Sequence, residues 1–104
     1  MTTGKPWTDD EQRIALLAYA ILLDAQTHEI KTNKAALRRA TLPQLDGRSA
    51  GSYEFKMCNI SAALQDRGAD YVTGYKPRSG YQRSLADMLH TMRPDLMPAK
   101  PVTT

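Results

Sequence analysis

The stretch Gly47 to Gly68, GRSAGSYEFKMCNISAALQDRG, constrains this chain more than any other, because it reads as one capped helix with two differently dressed faces. Ser49 is a good N-cap, since its hydroxyl accepts from a free amide of the first turn, and Gly68 is where a helix turns left-handed and stops. At about 100° per residue, Tyr53, Met57, Ile60 and Leu64 fall in one narrow sector, which the spacing predicts to be buried. Roughly a third of a turn away runs a second stripe of Ser52, Lys56, Asn59 and Ala63, with Arg48 just ahead of the helix. These side chains are short or hydrogen-bonding and suit close contact with a groove. The plainer alternative is a solvated surface with an ordinary lysine.

Three more helices flank it. Thr8-Asp9-Asp10-Glu11 has the pattern of a capping box, its acids placed at the positive end of a helix dipole, and Trp7 precedes it as a staple. The helix from about 9 to 26 carries Ile14, Leu16, Leu17, Tyr19, Ile21, Leu22 and Leu23, a stripe too wide for a surface helix, which makes it the expected central packing element. Asn33 to Thr41 reads as a short basic helix stopped by Pro43, with Lys34, Arg38 and Arg39 left to point outward. A short helix, a turn through Pro43, Asp46 and Gly47, and a longer helix with a small polar stripe make a helix-turn-helix arrangement.

Beyond Gly68, ADYVTGYKPRSGY interleaves tyrosines with Lys76 and Arg78 and has no helical period, so it reads as a loop, although Tyr71-Val72-Thr73 also fits a short strand. Ser79 to Gln82 has the pattern of a second capping box, opening a last helix over 80 to 92 with Tyr81, Leu85, Met88, Leu89 and Met92 on one face. The expected fold is therefore all-α: one four-helix domain over 1–93 with a helix-turn-helix-like core, a frayed start before Trp7, and a Pro-rich tail over 94–104. Its expected core is Trp7, Leu17, Ile21, Tyr53, Met57, Ile60, Leu64, Leu85 and Leu89.

Charge sharpens the reading. The net charge is +3 over 104 residues, but residues 31 to 93 hold eleven cations against five anions, whereas residues 1 to 30 hold two cations against five. A segregated basic portion is the footprint of a phosphate-backbone binder, and a scattered solvated surface gives the same count. No apolar run approaches the 18 or so residues of a membrane span, and the first residues lack the pattern of a secretory signal or transit peptide, so a cytoplasmic location is expected. Cys58 stands alone, and His28 and His90 are isolated, so no metal-ligand spacing, no cofactor loop and no nucleophile-base set is present to support an enzyme.

Two resemblances follow from these residues. WTDDEQ together with GRSAGSYEFKMCNI looks like the first and third helices of Myb/SANT-type domains. The longer run from Gly47 to Leu89 resembles the N-terminal domain found ahead of HNH endonuclease domains in bacterial restriction-type proteins, where RS-GS-E-K-NIS, G-GYKP and a glutamine-containing helix start recur in this order. That resemblance implies a DNA-binding role for Arg48, Ser49, Ser52, Lys56, Asn59 and Lys76; an HNH constellation itself is absent from this sequence.

The resulting expectation is a module for double-stranded DNA. In it Lys34, Arg38, Arg39, Arg48, Lys76 and Arg78 contact phosphates, while Ser52, Lys56 and Asn59, on the helix that Ser49 caps, face the major groove, where Asn pairs with adenine and Lys donates to guanine. Asn59 has a second reading, in which its amide tethers a neighbouring loop. The alternative for the whole chain is a protein-interaction module, a detached targeting subunit or inhibitor of a partner such as a nuclease.

Overall fold

The computed structural model describes residues 6–97 and contains four α-helices, α1 (Asp9–Thr27), α2 (Lys34–Thr41), α3 (Ala50–Asp66) and α4 (Arg83–Met92), with no strand among the described residues. The segment around Val72 is a turn, not the short strand its composition also allowed. None of these helices is long and apolar enough to cross a membrane.

The helix starts obey local chemistry. Thr8 caps α1 through a complete capping box, its hydroxyl accepting from the Glu11 amide while the Glu11 carboxylate accepts from the Thr8 amide. Asn33 caps α2 and Ser49 caps α3 in the same way, each accepting from the amide three residues on. The capping box expected at Ser79 does not form. α4 starts at Arg83 with Gln82 at its N-cap making no capping bond, because the Gln82 side-chain oxygen accepts from Lys56 and the Tyr81 hydroxyl donates to Asp66, which hold this segment as loop.

α1 packs against α2, α3 and α4, and α3 also packs against α4. α2 reaches α3 through a single 3-10 turn, Leu42–Gln44, and an irregular piece to Ser49, a longer path than the tight turn of a compact helix pair. Tyr53, Met57, Ile60, Leu64, Leu85 and Leu89 are all buried, as their spacing predicts. Leu17 and Ile21 are not: they are 53% and 54% exposed. α1 turns Ala15, Leu16, Tyr19, Leu22 and Leu23 inward, and a helix apolar nearly all round cannot bury every side in a domain this small. Trp7 is half-buried at the edge of the core.

The tail begins later than Pro94. Met97 is buried, Leu96 packs against the core, and Arg93 is clamped between the carboxylates of Asp24 and Asp95. The remainder of the expected tail and the residues before Pro6 lie outside the described residues.

Candidate nucleic-acid interface

The polar stripe of α3 faces inward. Lys56 is only 3% exposed, with its ammonium donating to the side-chain oxygens of Gln12 and Gln82 at 3.2 Å each and lying 4.9 Å from the centre of the Trp7 ring. Burial lowers its pKa to about 8, and the charge of Arg48 pushes the same way. Asn59 is buried too, its amide donating to the Arg78 carbonyl at 2.6 Å, while Ala63 is in the core and Ser52 is half-buried. The second reading of Asn59 is therefore the observed one, and groove contact by Lys56 or Asn59 is excluded in this arrangement. The physical reason is that α3 is covered on three sides, by α1 with Trp7, by α4 and by the loop that follows Gly68.

Arg48 is likewise taken into the fold. Its guanidinium forms a two-pronged pair with Glu11, at 2.9 Å and 2.8 Å, donates to the Pro6 carbonyl and stacks 4.7 Å from the Trp7 ring centre. The Arg48 hydrogen bond, opposed by burial and helped by the Thr8 and Asp46 amides, holds the Glu11 carboxyl down at about 2. The same pairing raises the pKa of Arg48. Ser49 is spent on the cap. Of the residues expected to meet DNA from this side, Arg48, Ser49, Lys56 and Asn59 are each engaged within the fold, and only the half-buried Ser52 hydroxyl is not. The outer face of α3 carries Gly51, Glu54, Phe55 and Cys58 instead.

The cations of α2 and of the following loop come together elsewhere. Lys34 reaches across to the Thr73 carbonyl at 2.7 Å and sits 4.6 Å above the Tyr75 ring. Gly74 makes that crossing possible: its φ is +100°, and a Cβ there would collide with the Lys34 ammonium. Arg78 is fixed at both ends of its peptide, its amide donating to the Cys58 carbonyl and its carbonyl accepting from Asn59, so that its guanidinium lies 5.0 Å from the ring centre of Phe55. Arg38 is half-buried and close enough to act electrostatically on both Tyr53 and Tyr75. Lys34 and Arg78 act likewise on the Cys58 thiol, whose pKa burial pushes up. Tyr75 is raised to about 12, mainly by burial.

Lys34, Arg38 and Arg78 thus lie around Tyr75, Cys58 and Phe55, as does the exposed Glu54, whose carboxylate also acts on Cys58 and Tyr75. Arg39 and Lys76 are exposed but stand apart: Lys76 lines a separate depression with Gln26, Asp70 and Tyr71. Phe55, 48% exposed, is the member that spacing arguments passed over. Its signal is legible in retrospect, because it is a large apolar residue lying off both α3 stripes. Among the described residues no group of His, Cys, Asp or Glu side chains is placed to hold a metal ion.

Comparison with the models of known protein families, with curated proteins and with solved structures gave no match.

Proposed function

We propose that the chain is a DNA-binding module that meets the duplex with the patch of Lys34, Arg38 and Arg78, not with the polar stripe of α3. α2 and α3 then act as a helix-turn-helix-like pair with a long connection, while the exposed Arg39 and Lys76 lie outside the patch. The observation that supports this reading is the double tether of the loop after α3: the Lys34 to Thr73 and Asn59 to Arg78 bonds join loop, α2 and α3, so that two cations of α2, Lys34 and Arg38, and one of the loop, Arg78, are brought towards one another, with Arg78 against an exposed aromatic ring. Cations held in fixed register fit the spacing of phosphates, and a ring at the edge of such a patch suits stacking on a sugar or base.

The test is a salt titration of duplex binding by fluorescence anisotropy. Arg38→Ala and Arg78→Ala are each expected to flatten the dependence of log affinity on log salt by about 0.9, whereas Lys56→Met leaves that slope unchanged. Absence of duplex binding at low salt, or slopes indifferent to Arg38 and Arg78, overturns the reading.

A further inference from the structure

The outer stripe of α1 has no partner among the described residues. Leu17 and Ile21, one turn apart, are each more than half exposed, and beside them Ile14, Ala18, Leu37 and Ala40 line an open groove of about 160 Å³ between α1 and α2. Two neighbouring exposed aliphatic side chains over an apolar groove are what an interface leaves behind when its other half is missing. The question is what covers them.

The charges along the same stripe answer it. Continuing the helical spacing outward from Leu17 and Ile21 gives Asp10 and Arg13 on one side and Asp24 and His28 on the other, all with substantial exposure. The order is acid, base, leucine, isoleucine, acid, base. Laid antiparallel on a copy of itself about a two-fold axis midway between Leu17 and Ile21, the stripe sets Asp10 against the partner's His28 and Arg13 against the partner's Asp24. Laid parallel, it sets Asp10, Arg13 and Asp24 each against its own kind. The pattern is thus complementary to its own reverse, the requirement of an interface in which both copies use the same patch.

We infer that the α1–α2 face binds a second copy of this chain, with α1 packed antiparallel on its partner's α1, Leu17 seated against the partner's Ile21, and an Arg13–Asp24 ion pair and a polar Asp10–His28 pair closing each end of the seam. Ala18 and Ala40 are small enough to let the helices approach. Arg13, now paired with Asp10 at 2.7 Å on an exposed turn, and Asp24, held by Arg93 with part of its carboxylate still open to solvent, both have a second partner to gain. The inference stands on α1 and the groove alone and does not require that the chain bind DNA.

Sedimentation equilibrium of the full chain tests it. The expected result is a dimer whose dissociation is shifted to at least millimolar concentration by Leu17→Asp combined with Ile21→Asp, with helical content retained because both side chains are already half outside. Arg13→Glu should weaken the dimer by about ten-fold, as it sets two acids face to face. Geometry is read by oxidative cross-linking on a Cys58→Ser background: a mixture of Leu17→Cys and Ile21→Cys chains should form the mixed disulfide in preference to either homodimer. A wild-type chain that stays monomeric at millimolar concentration overturns the inference and leaves the groove to a different protein. A dimer that survives Leu17→Asp with Ile21→Asp, or one that cross-links 17 to 17, overturns it as well. If the double aspartate variant fails to fold, the cysteine variants alone decide.

Discussion

Lys56 is a cation held by two amide oxygens and an indole, with no carboxylate in direct contact. Its lowered pKa has a direct thermodynamic meaning. Between about 8 and the unperturbed 10.5 the unfolded chain keeps a proton that the folded chain has released, so the stability of the fold rises with pH across that window. Above about 10 the buried Tyr19 and Tyr75 act in the opposite sense: each stays protonated in the fold up to about 12, and the unfolded chain, already ionised, gains. Denaturant melts should therefore show stability climbing from pH 8 to about 9, above which the raised Cys58 thiol acts in the opposite sense, and Lys56→Met should remove that climb; a Cys58→Ser chain flat from pH 8 to 10 contradicts the buried position of the ammonium. Asn59 gives the matching prediction for a neutral group. Asn59→Ala removes its bond to the Arg78 carbonyl and should cost about 1 kcal/mol, lowering Tm by roughly 5 °C. Because the loop it releases carries Arg78, DNA affinity should fall for all sequences alike, and a loss confined to one base position would put Asn59 back in the groove.

At the level of elements, what was legible is what local chemistry determines. Three of the four helix starts carry their own caps, and the i, i+4, i+7 stripe of α3 and the two leucines of α4 went where their period sends them. Periodicity does not say how many sides of a helix find a neighbour. α3 has the sequence of a two-faced helix and the environment of a three-sided one, since Ser61, bonded to the Tyr19 hydroxyl at 2.7 Å, and Ala62 are buried along with the apolar stripe and with Lys56, Asn59 and Ala63 of the polar one. α1 errs the other way, with more apolar surface than its neighbours cover. Lys56 and Arg48 went astray for a related reason: in a sequence a cation beside a helix looks solvent-bound, and nothing local announces that Glu11, far earlier in the chain, is waiting for it. The Arg48–Glu11 pair, with side chains only 8% and 6% exposed, makes the junction of α1 and α3 acid-sensitive. Glu11 is held below its ordinary value, so its contribution is intact above about 4.5 and lost as pH falls toward about 2.

For the molecule as a whole, the basic excess of residues 31 to 93 shrinks at the surface once the fold is taken into account, because Arg48, Arg93 and Lys56 are consumed internally. What remains is drawn together by the long loop after α3, which irregular sequence did not mark as structural but which carries Val72 and Tyr75 into the core, accepts a bond from Lys34 of α2 and lays Arg78 against Phe55 of α3. Val72 is fixed there by its amide, which donates to the buried Tyr19 hydroxyl. The proposed DNA contact and the inferred self-association both involve α2, the first through Lys34 and Arg38 and the second through Leu37 and Ala40, so the variants that separate them are Arg78→Ala in the loop and Leu17→Asp with Ile21→Asp on α1.

Trp7 is the single tryptophan of the chain, and two cations lie within 5 Å of its ring centre while its neighbour Pro6 is held by one of them. The molecule therefore carries an intrinsic optical probe at the seam where α1, α3 and the entering strand of chain meet. Intrinsic fluorescence will report that seam and little else. Arg48→Ala should cost about 3 kcal/mol and shift the emission to longer wavelength as the indole becomes wet, while far-UV circular dichroism still registers the helices. In the wild-type protein under acid, the colour of the emission should change along with Glu11, ahead of the loss of helix; simultaneous change of the two signals would mean that the seam and the bundle come apart as one.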